Sequence, residues 1–227
     1  MHTLATVAAA MPFPRALRLA PVALLLFATL AGAWDAARIR LQAGALSPAV
    51  QVRVGQLLEL VESQRGQPVR QQLERVNQFF NQQVGWRDDQ QVWGQVDYWA
   101  SPLEMLAKGA GDCEDLSMGK YFALLGLGVP ESSLRLVYVR AQFQGRAQAH
   151  MVLAWYATPD AEPLILDNLD PALKRAGERN DLAPVFSFNA QGLWQGSSAT
   201  GMQSAGNPLT RLTIWRDALS RARAEGF

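Results

Sequence analysis

Residues 109–128 read GAGDCEDLSMGKYFALLGLG, and this stretch predicts the central element of the fold. Glycines bound it at both ends, and apolar residues recur at helical intervals between them, which is typical of a buried helix. Asp112 has a residue type favoured at the N-cap, and acidic residues in the first turn suit the positive end of the helix dipole. Cys113 is therefore expected in the first turn of a central helix.

Helical patterns precede this stretch and strand patterns follow it. The helical patterns begin at Pro48, after Pro68 and at Ser101-Pro102. The strand patterns cover residues 134–143, 148–156 and 164–168, with a turn at 144–146. A last helix is predicted from Asn207-Pro208. This order predicts one α+β domain, in which the central helix packs on an antiparallel sheet.

The composition excludes several classes of protein. The 227 residues carry 21 Lys and Arg against 20 Asp and Glu, so no broad positive field favours binding to nucleic acid. One cysteine cannot form an intrachain disulfide, and one cysteine with two histidines cannot supply a four-ligand zinc site. Any chemistry must therefore use very few Cys and His residues.

The N-terminus has the three parts of a secretory signal. Arg15 and Arg18 precede an apolar run, residues 19–33, that ends in Ala-Gly-Ala and is shorter than the roughly 20 residues of a spanning helix. We predict a signal peptide at residues 1–33 and a mature domain at residues 34–227. An uncleaved membrane anchor and a buried core helix are the alternatives.

The mature chain keeps one cysteine, Cys113, and one histidine, His150, in the order that a thiol protease requires. A thiol nucleophile needs a base, and the base needs a third group that orients it. Asp167, on the third strand, is the preferred orienting acid because it follows the regular Leu-Ile-Leu run of residues 164–166. The N-terminus of a central helix can meet the edges of neighbouring strands, so the three residues could come together there.

Each of these residues also has a plainer interpretation. Cys113 is alternatively a small buried hydrophobe, and His150 a core histidine whose hydrogen bonds are satisfied. The rivals of Asp167 nearby are Asn168, Asp160 and Asp170.

Three carboxylates surround the candidate nucleophile. The helix N-terminus lowers the pKa of the Cys113 thiol, whereas Asp112, Glu114 and Asp115 raise it and repel one another. Calcium, which takes several oxygen ligands, would remove both difficulties. The alternative is an acidic first turn stabilised by the helix dipole alone. Asp97 is a possible further ligand, and no EF-hand loop is present.

Four motifs carry a family resemblance: DYWASP at 97–102, GDCED at 111–115, AHMVL at 149–153 and LDNL at 166–169. Together they resemble the bacterial transglutaminase-like cysteine proteinases, the LapG-type periplasmic proteases. The likeness extends from about Ser47 to the C-terminus and includes FSFN at 186–189 and GLW at 192–194.

The resemblance implies a papain/transglutaminase-like fold and a Cys113, His150 and Asp167 triad. It also implies calcium held by Asp112, Glu114 and Asp115, and a periplasmic location. The expected substrate is the N-terminal region of a large surface adhesin, cut at a di-alanine site so that the adhesin is released and biofilm disperses. The expected inhibitory partner is an inner-membrane cyclic-di-GMP receptor.

Two other functions stay open at this point. Acyl transfer to an amine uses the same thioester as hydrolysis, and a calcium-binding interaction module would carry a vestigial triad. The second oxyanion donor is also open, because Ala107 and Lys108 occupy the region where papain-like enzymes place a glutamine. Trp93 and Trp99 are either cleft residues or packing residues.

Overall fold

The computed structural model of the chain describes residues 34–196 and 207–227. The predicted signal peptide lies outside the described residues, so it stays a prediction. Within these two ranges, no helix combines the length and apolar character needed to cross a membrane.

Helices occupy most of the first half of the described chain. The α-helices are α1 Ala36–Gly44, α2 Pro48–Gln64, α3 Val69–Gln83, α4 Asp89–Val92, α5 Pro102–Lys108, α6 Cys113–Gly126, α7 Pro208–Arg211 and α8 Thr213–Glu225. The prediction for α5 is confirmed at both ends. Ser101 and Glu104 form a capping box at its start, and Gly109 ends it with φ of 67°.

Most strands belong to one antiparallel sheet. The strands are β1 Gly85–Trp86, β2 Ala110–Gly111, β3 Leu134–Phe143, β4 Arg146–Trp155, β5 Leu164–Leu166, β6 Lys174–Arg175, β7 Leu182–Phe188 and β8 Leu193–Gln195. The sheet has the order β6-β5-β4-β3-β7-β8, while β1 and β2 form a separate parallel pair.

The β3–β4 hairpin matches the sequence prediction closely. Strand β3 has the predicted bounds, and Gln144 and Gly145 form the turn with φ of 51° and 76°. Two consecutive positive φ angles are the pattern of a type I′ turn, which suits the twist of the flanking strands.

Helix α6 lies at the centre of the core, as predicted. Nearly every residue from Asp115 to Leu124 is buried, and α6 packs against β4 as well as α3 and α5. Gly119 allows this close approach, because a Cβ there would lie 2.6 Å from the Phe80 ring and 2.7 Å from the Met105 methyl group. The α+β class is confirmed, with a helical layer on one face of the sheet.

The structure differs from the predictions at two elements. Strands β7 and β8, which lie outside the three strand patterns of the sequence, extend the sheet beyond β3. The final helix is broken at Leu212, which separates α7 from α8.

Candidate active site

A cleft of about 350 Å³ lies between the start of α6 and strand β4. Cys113 and His150 both line it, so the structure brings the predicted nucleophile and base to one site. The other lining residues are Trp86, Asp97, Trp99, Asp112, Glu114, Tyr138, Gln148, Ala149, Met151 and Leu169.

Met151 joins the start of α6 to β4. Its N–H donates a hydrogen bond to the Cys113 sulfur, and its carbonyl accepts one from the Ser117 hydroxyl at 3.1 Å. Ser117 follows Cys113 by one helical turn, so both side chains lie on the same side of α6. They contact the two successive peptide groups of β4 that flank the Met151 Cα atom. The thiol is thereby held beside the strand that carries His150.

His150 is paired with Asp167, as predicted. The two side chains are buried, and His150 Nε2 lies 2.7 Å from Asp167 Oδ1. His150 alternates along β4 with Met151, so it shares a face with Val152 and Ala154, and Asp167 directly follows β5. With Nε2 engaged, Nδ1 is the ring nitrogen left for proton transfer.

Asp167 is held by several donors besides His150. The backbone N–H groups of Asn168 and Leu169 donate to Oδ1 at 2.6 and 3.0 Å. Arg179 Nη2 donates to Oδ2 at 2.6 Å, and both side chains of this ion pair are buried. Hydrogen bonds and charge from His150 and Arg179 outweigh burial, and they hold the pKa of the Asp167 carboxyl well below its ordinary value.

The surroundings of Cys113 favour the protonated thiol. It donates a hydrogen bond to Glu114 Oε2 at 2.9 Å. Burial raises the pKa of the thiol well above its ordinary value, and the negative charges of Glu114 and Asp112 raise it further. Burial and, to a smaller extent, these negative charges therefore disfavour the thiolate.

The carboxylates form a cluster beside the thiol. Asp89, Asp112 and Asp115 each offer an oxygen within 4.8 Å of the others, and Asp89, Asp97 and Glu114 form a second such group. Asp89 belongs to both groups. The predicted ligands Asp112, Glu114 and Asp115 thus lie in one region, together with the possible ligand Asp97.

This cluster fits a hard divalent cation. One buried oxygen each of Asp89, Asp112 and Asp115 has no hydrogen-bond partner among the described residues. Burial and neighbouring carboxylates raise the pKa of Asp89 to about 6 and that of Asp112 to about 10. Gly111 makes room for the cluster, because a Cβ there would lie 2.7 Å from Asp115 Oδ2.

Asp112 occupies the N-cap position of α6, but its side chain accepts no capping hydrogen bond. Its carboxylate belongs to the acidic cluster instead. The Asp112 N–H donates to Asp115, which also accepts the Ala100 N–H at 2.7 Å. The first turn of α6 is thus organised around the cluster, which the capping preference alone did not predict.

The site also contains residues that the sequence did not point to, among them Trp86, Asp89 and Arg179. Trp86 lines the cleft because β1 pairs with β2, directly before Asp112. Asp89 begins α4, and Arg179 follows the turn after β6. No motif or spacing connects these positions to residues 112–115 or 167, since their proximity arises only in the tertiary fold.

The tryptophans behave differently from one another. Trp99 lines the cleft, stacks on Phe188 and donates its indole N–H to Asp97 Oδ1 at 3.0 Å. Trp93 packs against Tyr98 and is absent from the described cleft lining. Trp99 therefore has both of the roles considered for it, and Trp93 only the packing role.

The chain is similar to a known family and to known structures. A family model, described as bacterial transglutaminase-like cysteine proteinase, matches residues 56–180. Comparison with curated proteins finds no significant match.

EGTA-treated LapG of Legionella pneumophila is 38% identical, covers 85% of this chain and 100% of its own, and has a TM-score of 0.74. Calcium-bound LapG of the same organism is 38% identical, covers 82% and 98%, and has a TM-score of 0.68. The resemblance and the fold that it implied are both confirmed: the chain belongs to the bacterial transglutaminase-like cysteine proteinases.

Proposed function

We propose that the protein is a calcium-dependent cysteine endopeptidase that works through an acyl-thioester. Cys113 is the nucleophile, His150 the general base and acid, and Asp167 the residue that orients the imidazole. The observation that carries the proposal is the cleft that Cys113 and His150 share, with His150 Nε2 held 2.7 Å from Asp167 Oδ1.

The proposed reaction has two stages. His150 takes the Cys113 proton, the thiolate attacks the scissile carbonyl, and the imidazolium then protonates the leaving amine as the C–N bond breaks. Water, deprotonated by His150, attacks the thioester and releases the carboxylate product together with the regenerated thiol. Asp167 stabilises the imidazolium in both stages, and Arg179 keeps Asp167 in place.

Calcium is assigned to the acidic cluster of Asp89, Asp112, Glu114 and Asp115. A bound cation there would neutralise the negative charge that raises the pKa of the Cys113 thiol. Support comes from the unpartnered carboxylate oxygens of the cluster. The comparison structures of LapG in calcium-bound and EGTA-treated forms also support it.

The proposed substrate is the N-terminal region of a large surface adhesin, cut at a di-alanine site in the periplasm. Its release would disperse biofilm, and an inner-membrane cyclic-di-GMP receptor would sequester the protease. The motifs of residues 97–102, 111–115 and 149–153 support these assignments through the family resemblance. The predicted signal peptide supports the location.

The test is cleavage of a purified adhesin N-terminal fragment that contains an Ala-Ala pair, with calcium present. We expect the wild-type protein to cut it and the Cys113→Ala protein to leave it intact. A Cys113→Ala protein that still cuts would refute the assignment of the nucleophile.

A labelled primary amine in the same reaction separates the remaining functions. Incorporation of the label without hydrolysis would identify an acyl transferase. Wild-type protein that binds calcium but neither cuts the fragment nor incorporates the amine would instead indicate an interaction module.

A further inference from the structure

Strand β4 has an edge that is only partly covered. It runs over residues Arg146–Trp155, but β5 pairs with it only through Leu153, Ala154 and Trp155. The remaining part of β4, from the turn to Met151, has no strand on that side among the described residues. Unpaired edges of this kind are templates for another extended chain.

The register of the β3–β4 pair shows which backbone groups face this edge. The N–H of Tyr156 donates to the Ser133 carbonyl at 2.8 Å, and the register continues without a shift to the turn. Residues of β4 with even numbers therefore bond to β3. Residues with odd numbers direct their N–H and carbonyl groups to the opposite side.

The odd-numbered residues fall into three groups along the strand. Leu153 and Trp155 face β5. Met151 is engaged by the Cys113 sulfur and the Ser117 hydroxyl. Ala149 and Ala147 face the open edge, both are exposed, and no described residue hydrogen-bonds to them on that side.

This open edge is continuous with the candidate active site. Ala149 lines the same cleft as Cys113 and His150. Ala149 and Met151 are about 7 Å apart along the strand, because each residue of a strand advances about 3.4 Å. A chain paired with Ala149 thus passes within about two residues of the sulfur.

We propose that the substrate binds as an added β-strand along this edge, with its backbone paired to the N–H and carbonyl groups of Ala149 and then Ala147. This inference rests on the proposed protease function and adds to it the conformation of the substrate. The main-chain pairing requires an extended segment around the scissile bond. It excludes a segment that stays helical when bound.

A proline variant tests the pairing from the side of the enzyme. Proline at position 149 removes an N–H that faces the open edge and leaves the β3 ladder intact, which edge strands tolerate. We expect Ala149→Pro to lower kcat/KM for the adhesin fragment by about tenfold or more. Gln148→Pro is the matched control for folding, because it removes a bond to β3 and should lower the melting temperature.

Alkylation of Cys113 by iodoacetamide distinguishes pairing from damage to the site, since alkylation needs the thiolate but no peptide. We expect Ala149→Pro to be alkylated at the wild-type rate. A fall in alkylation that equals the fall in cleavage would count against the pairing.

A proline scan of the substrate tests the same pairing with the wild-type enzyme. Single prolines introduced around the Ala-Ala pair of the adhesin fragment should alternate between strong and weak inhibition of cleavage, because every second N–H of a paired strand faces its partner. A profile without alternation would overturn the inference. So would an Ala149→Pro protein that cuts normally but has lost a concentration-dependent dimer, since the edge would then pair with a second copy.

Failure of the proposed function gives a different result. In that case the wild-type protein does not cut the unmodified fragment at all, and no variant or scan is needed. If the wild-type protein cuts but Ala149→Pro and the scan show no effect, only the strand pairing fails.

Discussion

The buried Asp167 carboxylate and the acidic cluster beside Cys113 differ in how their charge is compensated. Asp167 is surrounded by donors of the protein itself: His150, Arg179 and two backbone N–H groups. The cluster of Asp89, Asp112 and Asp115 has three buried oxygens with no partner among the described residues. The pKa of Asp167 is accordingly lowered, while those of the cluster are raised.

The contrast separates a complete part of the site, whose charges the protein itself balances, from an incomplete part, whose charges it does not balance. Folding alone arranges His150 and Asp167, since the chain supplies every charge that this pair needs. The cluster becomes electrostatically balanced only with protons or a bound cation. The proposed base with its orienting acid and the acidic cluster are therefore located in different elements, on the sheet and at the start of α6.

The largest effect is expected from the complete part of the site. Asp167→Asn should lower kcat by about 10³- to 10⁴-fold, because the amide neither stabilises the imidazolium nor holds the required tautomer. Cleavage rates of the adhesin fragment measure this. The matched control is Asp170→Asn, three residues away in a surface ion pair with Lys174, which should stay near the wild-type rate. Equal losses in the two variants would contradict the role of Asp167.

Removal of divalent cations should affect the incomplete part. We expect cleavage to slow strongly, though by less than in Asp167→Asn, and the melting temperature to rise by about 5–10 °C when calcium is restored at about 100 times its Kd. Differential scanning calorimetry measures the shift. Asp115→Asn should abolish the calcium response, whereas Asp217→Asn on the surface of α8 should keep it. Full activity in cation-free buffer would refute calcium dependence.

The pH dependence of stability should reveal the same cluster. The pKa of Asp89 rises from 3.8 to about 6 on folding, so the folded protein binds more protons than the unfolded chain above about pH 4. The free energy of unfolding of cation-free protein should therefore fall as the pH rises from about 4 through about 6. We expect calcium to raise the melting temperature by about 5 °C or more at about pH 7.5, and by less at about pH 5. An equal calcium effect at both pH values would contradict this account.

The smallest effect is expected at Arg179, which acts through Asp167. Arg179→Met should lower kcat by about 10- to 100-fold with little change in KM, since the residue orients Asp167 and does not line the described cleft. Loss of its positive charge should also move the acid limb of the pH profile to higher pH, because the imidazolium becomes more stable.

Arg175→Met is the matched control for Arg179→Met, since Arg175 is largely exposed and forms only a long ion pair with Glu162 at 3.9 Å. Arg179→Lys should restore part of kcat and the original pH limb. A change in KM alone would show that Arg179 has a different role.

The sequence predicted the elements whose signals are local. Periodicity and turn residues were sufficient for β3, α5 and the Gln144-Gly145 turn. Because the predicted mature chain has one Cys and one His, Cys113 and His150 were predicted to act together. The structure places them in one cleft.

Contributions that arise from tertiary contacts carry no local signal in the sequence. Asp89 reaches the cluster from the short helix α4, and Trp86 reaches the cleft through the two-residue β1–β2 pair. Arg179 lies 12 residues beyond Asp167 and meets it only after β6 has turned back along β5. In each case a single polar or aromatic residue in an irregular stretch carries no periodic signal.

The contacts of Cys113 and Ser117 with Met151 make the Met151 amide a probe for NMR spectroscopy. Because the Met151 N–H donates directly to the Cys113 sulfur, its proton chemical shift will respond when the thiol becomes a thiolate. The Ser117 hydroxyl donates to the Met151 carbonyl, and this hydrogen bond restrains the orientation of the Met151 amide while the thiol is titrated. One backbone resonance therefore reports the ionisation of the nucleophile, and following it as calcium is added would record the activation of the thiol without any substrate.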